Sequence, residues 1–176
     1  MDTDKKEKEF LDAVIEQEED LVADPGWRLG KKIVFTSGCF DILHAGHVLF
    51  LEEAHALGDL LVVALNDDRS VRKIKGTDRP TYPVHERAEV LAALKWVDRI
   101  VLFSNDRPIR AIQLLKPEIY VKDESYREQV DSLPEARLIE TQGGQVVLLD
   151  RLPGFSTTEV RDIIREKTGP IRLPSC

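Results

Sequence analysis

The sequence predicts an α/β fold: a doubly wound parallel sheet of about five strands with helices on both faces. Three observations carry that expectation. Short apolar runs rich in β-formers alternate along the chain with segments of helical periodicity, the order that gives parallel strands joined by right-handed crossovers. The runs are almost continuously apolar, as in "LLVVAL" (Leu60–Leu65), which suits strands covered on both faces. At 176 residues and 42% hydrophobic, the chain can bury one sizeable core, so one main domain is expected.

In chain order, residues 4–22 place Phe10, Val14 and Leu21, with Leu11, Ile15 and Val22 beside them, on one face of an acidic amphipathic helix that "DPGW" ends. Residues 1–24 are therefore expected to form an appended helix that packs on the domain or on a second subunit, which leaves a homodimer open. The domain itself, residues 30–168, holds strands at Ile33–Thr36, Leu60–Leu65, Arg99–Phe103, Ile119–Val121 and Val146–Leu149. Helices are expected at His44–Leu57, Val84–Lys95, Pro108–Leu115, Leu133–Thr141 and Thr157–Lys167. In the second of these, Val84, Ala88, Leu91 and, offset, Leu94 recur at helical spacing, and Pro83 suits a helix start. The tail "TGPIRLPSC" is too proline-rich to continue the last helix, so residues 169–176 are read as an extension.

Charge and cysteine content narrow the function. The net charge of −7 resides entirely in residues 1–24, with ten acids against three lysines, so the remainder balances 22 acids with 22 bases. No overall basic footprint for nucleic acid is present. A local cluster, "RSVRKIKGTDR" from Arg69 to Arg79, could meet a small anion or form a solvated face. Two cysteines, Cys39 and Cys176, make neither a disulfide framework nor a metal cluster. No apolar run reaches the roughly 18 residues of a membrane helix, and the N-terminus lacks the order of a secretory signal. The expected setting is cytoplasmic, with no membrane and no protein-held metal.

The chemistry is concentrated in "TSGCFDILHAGH", Thr36–His47, where a buried strand gives way to a helix. Ligands in such sheets bind beyond the carboxyl ends of strands, where N–H groups of the next helix face outward. Gly38 permits a tight turn and Gly46 leaves a surface that a base or phosphate can approach. His44 and His47 are three apart, share a face, and can donate together to phosphate oxygens. Asp41 suits an N-cap for their helix. Downstream, "RLPGFSTTEVRDII" pairs Ser156 with Glu159 as a capping box, a helix start whose N–H groups and threonine hydroxyls also suit an anion.

"GCFDILHAGH" together with "GFSTT" resembles the cytidylyltransferase-like nucleotidyltransferases, whose HxGH element is related to the HIGH element of class I aminoacyl-tRNA synthetases. Within that group the resemblance is nearest to bacterial heptose 1-phosphate adenylyltransferases, through "LNDDRSVRKIKGTDRP", "ERAEVLAAL", "VDRIV", "KPEIYVK" and "GGQVVLL". It implies a Rossmann-like fold and attack of a sugar 1-phosphate on the α-phosphorus of ATP, with pyrophosphate leaving as its Mg²⁺ complex. By the same resemblance His44, His47, Lys75 and Arg87 act on the phosphates. Thr36, Gly38, Cys39, Phe40, Asp41, Gly46, Lys73, Arg151, Ser156, Thr157 and Thr158 frame the nucleotide, and Asn66, Lys122 and Tyr126 face the acceptor. The family's usual KGGDY reads "KDESY" here, Lys122 to Tyr126. Arg151, five residues before Ser156, matches the RTxGxSTT element of cytidylyltransferases that act on alcohol or polyol phosphates, so CTP stands as the alternative to ATP. A nucleotide-binding regulatory protein without turnover and an RNA-binding relative of the synthetases complete the alternatives.

Overall fold

The computed structural model of the chain describes residues 15–18, 20–22, 25–150 and 156–168. Among these, β1 (Ile15–Gln17), β2 (Ile33–Gly38), β3 (Leu60–Asn66), β4 (Arg99–Phe103), β5 (Ile119–Asp123) and β6 (Gln145–Leu149) form one sheet in the order β1-β4-β3-β2-β5-β6. Every pairing is parallel. The helices are α1 (Ala45–His55), α2 (Asp68–Lys75), α3 (Val84–Ala92), α4 (Ile109–Leu115), α5 (Pro134–Thr141) and α6 (Thr157–Thr168).

The continuous apolar strands are explained by two cores. Successive side chains of a strand point to opposite faces. Accordingly Val34, Leu61, Val63, Leu65, Ile100 and Val121 pack with Leu51 of α1 and Ala88 and Leu91 of α3. On the other face Phe35, Val62, Ala64, Val101 and Tyr120 pack with Ala111, Ile112 and Leu115 of α4 and Ile139 of α5. The sheet is thus Rossmann-like, with helices on both faces as expected. No helix among the described residues is long and apolar enough to cross a membrane.

Two expectations need correction. Residues 15–18 and 20–22 are not α-helical: Ile15–Gln17 add a sixth strand that runs parallel to β4, and Asp20–Val22 form one 3₁₀ turn whose Leu21 is fully buried against α4. The open edge of β4 offers this segment a row of backbone partners that an isolated surface helix lacks. Glu18 fixes the join by accepting from the Ala111 N–H at 3.0 Å. The remainder of the expected N-terminal helix, residues 1–14, and the tail lie outside the described residues. The second correction concerns "DRSVRKIK", absent from the expected helices, which is α2. Asp67 caps it by accepting from the Ser70 N–H at 2.7 Å, and Gly76, with φ of 103°, ends it.

Candidate active site

The strand order places the site. From β2 the chain crosses through α1 to β3 on one side, while from β5 it crosses through α5 to β6 on the other. Neighbouring strands whose crossovers diverge leave a crevice at their carboxyl ends. Gly38 ends one of these strands and Asp123 the other, and Lys122 bridges them by donating from Nζ to Ser37 O and Ser37 Oγ, both at 3.1 Å.

On one side of the crevice stands the histidine loop. A Cβ at Gly38 would lie 2.9 Å from Cε2 of Phe40, so only glycine lets that ring fold back. Phe40 has φ of 42°, a left-handed conformation that costs a bulky residue on the order of 1–3 kcal/mol and that clusters at functional sites. The ring is buried and sits 5.3 Å from that of His47. His44 occupies the N-cap position of α1, Gly46 lies in its first turn, and no side chain caps it. The imidazoles of His44 and His47 stack, with centroids 3.8 Å apart and 22° between planes, and their Nδ1 atoms are turned out of solvent. The spacing thus delivers both rings to one place, at a helix start whose N–H groups attract anions.

Asp41 does not cap α1, which corrects the sequence reading. Its buried carboxylate accepts from Arg79 Nη1 at 2.7 Å, from the Thr81 N–H at 2.5 Å and from Thr81 Oγ1 at 3.3 Å. A guanidinium, an amide and a hydroxyl together outweigh the helix start four residues away. Arg79 belongs to the basic cluster, so this member is a structural partner rather than a solvated charge.

Arg87 is neither at the surface nor aimed at the crevice. Its side chain is 0% exposed and donates to Tyr82 O, Cys39 O, Asn66 O and Asp68 Oδ1 at 2.5–3.0 Å. It therefore clamps the ends of β2 and β3, with Asp68 as its ion-pair partner. Asn66 is buried and donates to Ser70 Oγ. Thr36 is equally buried, its Oγ1 donating to Val121 O across the sheet. The Cys39 Sγ lies 3.9 Å from Asn66 Oδ1. Burial pushes the thiol up, while Lys75, Arg87 and Lys122 pull against that shift.

Of the two lysines, Lys73 is held in an ion pair with Asp106 on the surface. Lys75 is exposed and has no ion pair among the described residues, yet its charge acts on Cys39. Across the mouth, α6 begins with Ser156, whose Oγ accepts from the Glu159 N–H at 3.0 Å, the expected cap. Thr157 Oγ1 donates to Ile42 O in the histidine loop at 3.3 Å, Thr158 is exposed, and Arg161 pairs with Asp78 at 2.9 Å. These contacts bring both sequence elements to one crevice. Arg151 lies outside the described residues.

On the opposite side Lys122 is buried, with the Tyr126 ring 4.8 Å from its Nζ. Burial pushes its amine down to about 8, against the pull of Glu135 and Asp123, and burial likewise pushes the Tyr126 phenol up. "KDESY" ends β5 and turns through the 3₁₀ helix Glu124–Tyr126, where Asp123 accepts from the Ser125 N–H and Glu124 pairs with Arg127. The added carboxylates are thus occupied within the turn.

Comparison with known proteins agrees with this geometry. The chain is 46% identical over 143 residues to the bifunctional protein HldE of Geotalea uraniireducens and 49% identical over 133 residues to that of Gluconobacter oxydans, covering 81% and 76% of this chain. It spans only 28% and 27% of the length of those relatives. A lipopolysaccharide core biosynthesis protein of Thermoplasma volcanium superposes with a TM-score of 0.57 at 29% identity, over 70% of this chain and 98% of that one. Pantothenate synthetase of Thermus thermophilus shares the fold, with a TM-score of 0.58 at 17% identity over 88% and 70% of the two chains. The cytidylyltransferase-like family model matches residues 35–163, and because that span runs from β2 through the stacked histidines to the α6 start facing them, the chain belongs to the cytidylyltransferase-like family.

Proposed function

We propose that this chain is a nucleotidyltransferase that moves AMP from ATP to a sugar 1-phosphate of the heptose 1-phosphate kind and releases pyrophosphate. The observation that carries the reading is the stacked His44–His47 pair at the start of α1, over the switch-point crevice. Two adjacent imidazoles, helix N–H groups and a nearby lysine suit a polyphosphate. The name of the Thermoplasma protein supports a sugar acceptor.

In this reaction an acceptor phosphate oxygen attacks the α-phosphorus. The new O–P bond forms as the bond to the bridging oxygen breaks, and that electron pair leaves with pyrophosphate. A phosphate monoester has a second pKa of about 6, so no base need remove a proton. Catalysis is then alignment and charge balance. His44, His47 and Lys75 hold the triphosphate, while Gly46 and the α6 start, Ser156 to Thr158, border it. Cys39, Phe40 and Asp41 shape the loop, and Arg87 fixes the carbonyls beneath it rather than touching phosphate. Asp41 and Asp68 are tied to arginines; Mg²⁺ would come with the nucleotide as part of the substrate and would neutralise phosphate charge. Lys122 and Tyr126 meet the acceptor. A cytoplasmic setting fits these substrates, with residues 30–168 as the catalytic unit.

The test is pyrophosphate release from ATP and, in parallel, CTP, with heptose 1-phosphate and other sugar and polyol phosphates. ATP with the sugar 1-phosphate should turn over, and His47→Ala should lower kcat by about 10²-fold or more while the fold persists. Preference for CTP would reassign the base. Binding without turnover for every acceptor would overturn the enzyme reading.

A further inference from the structure

The wall of the crevice away from the histidines holds a pair that the transfer reading leaves without a task. Arg107, between β4 and α4, donates from Nη1 to Glu135 Oε2 at 2.7 Å. Glu135 lies in the first turn of α5 with its side chain 6% exposed, whereas that of Arg107 is 44% exposed. Tyr120 and Lys122 are two apart in β5 and so point to one face of the sheet, the face where Tyr120 packs with α4 and α5; the pair, at the starts of those two helices, therefore shares that face with the lysine that joins β2 to β5. Lys122 gives two of its three donors to Ser37, and Arg107 uses one of five on Glu135; the others have no hydrogen bond among the described residues.

Stability does not account for this arrangement. A carboxylate taken this far from water loses hydration that its partner's attraction seldom more than offsets, and an apolar pair of similar volume would serve the fold as well. Phosphate binding at the pair itself does not account for it either, since Glu135 would repel an anion placed against Arg107. A hydroxyl group both gives and accepts a hydrogen bond. A fixed carboxylate beside a guanidinium with open donors offers both partners, on the same face of the sheet as an ammonium suited to a phosphate.

We propose that Arg107 and Glu135 bind the hydroxyl groups of a phosphorylated sugar or polyol whose phosphate meets Lys122, making this pair the determinant of acceptor specificity. The proposal rests on the transfer reading above. The test uses the full chain carrying Arg107→Met, Glu135→Gln or both, with heptose 1-phosphate as acceptor and methyl phosphate, which has no hydroxyl groups, as competing inhibitor. Each single change should raise KM for the sugar 1-phosphate about tenfold or more, the scale of one lost hydrogen bond to a charged group. The Ki of methyl phosphate and the Kd of ATP should stay within about twofold, and the double variant should keep the wild-type melting temperature, which separates recognition from folding. Unchanged KM in both single variants would overturn the proposal. So would equal losses for methyl phosphate and the sugar, or loss of ATP binding with it. A wild-type chain that turns over no sugar or polyol phosphate would refute the transfer reading first, and the pair's assignment would fall with it.

Discussion

Lys122 carries a buried amine at a cost to the fold. Burial holds its amine at about 8, below its ordinary 10.5. The unfolded chain keeps the proton up to the higher value and the folded chain only to the lower, so between them the unfolded state binds more protons and stability rises with pH. Below about pH 8 the cost is fully present, of order 3 kcal/mol at most by the size of the shift. Lys122→Met removes that cost but leaves the Ser37 carbonyl without its donor, worth about 1–3 kcal/mol in the opposite direction. The sign at pH 7 is therefore close to balanced, whereas the trend is not. Relative to wild type, the melting temperature of Lys122→Met should be highest near pH 7 and fall steadily toward pH 10.5; parallel curves would refute the buried-amine account. The sequence marks this lysine only through the resemblance around "KPEIYVK". Its burial depends on Ser37, 85 positions earlier in the chain. Arg87 is the converse: its helix position looks exposed, but the carbonyls of Cys39 and Asn66 and the carboxylate of Asp68 draw it inside.

At the scale of elements, what was legible in the sequence depended on how local the cause is. β2 to β6 announce themselves because a doubly covered strand has no polar face, and the histidine loop because its glycines and histidines act within a few residues. α2 escaped because only Val71 and Ile74 are apolar in "DRSVRKIK", too few for a period, although Asp67 and Gly76 are signals at its two ends. Asp41 escaped for a different reason, since its partners Arg79 and Thr81 lie about 40 residues on. That contact joins the histidine loop to the segment between α2 and α3, with side chains only 5% and 15% exposed for Asp41 and Arg79. Breaking one half of a buried pair leaves an uncompensated charge, at about 3–5 kcal/mol, whereas removing both halves is far milder. Asp41→Leu should therefore destabilise by about 3 kcal/mol or more in urea unfolding, and adding Arg79→Leu should recover part of that loss. Additive losses would show that the two side chains act independently.

For the whole molecule, residues 1–24 test whether fold and chemistry are separable. They carry ten acids and three lysines, which is the entire net charge of −7, and they supply β1 along the edge of β4 together with the buried Leu21. Amphipathic periodicity suggested a helix here because the same apolar residues satisfy either period in so short a stretch; the unpaired edge of β4, a tertiary fact, decides for the strand. Deleting the segment uncovers that edge, opens the pocket of Leu21, worth about 1.5–3 kcal/mol of apolar burial, and brings the net charge to zero, where association is favoured. The crevice between β2 and β5 lies two strands inward from β4, on the far side of β3 from β1. The truncated chain should melt several degrees lower and aggregate at concentrations the full chain tolerates, while its kcat at low temperature and low concentration stays within about threefold of the full chain. Differential scanning calorimetry, light scattering and pyrophosphate release measure the three quantities on one preparation. A truncated chain that stays folded and monomeric but inactive would place part of the catalytic machinery in this acidic segment.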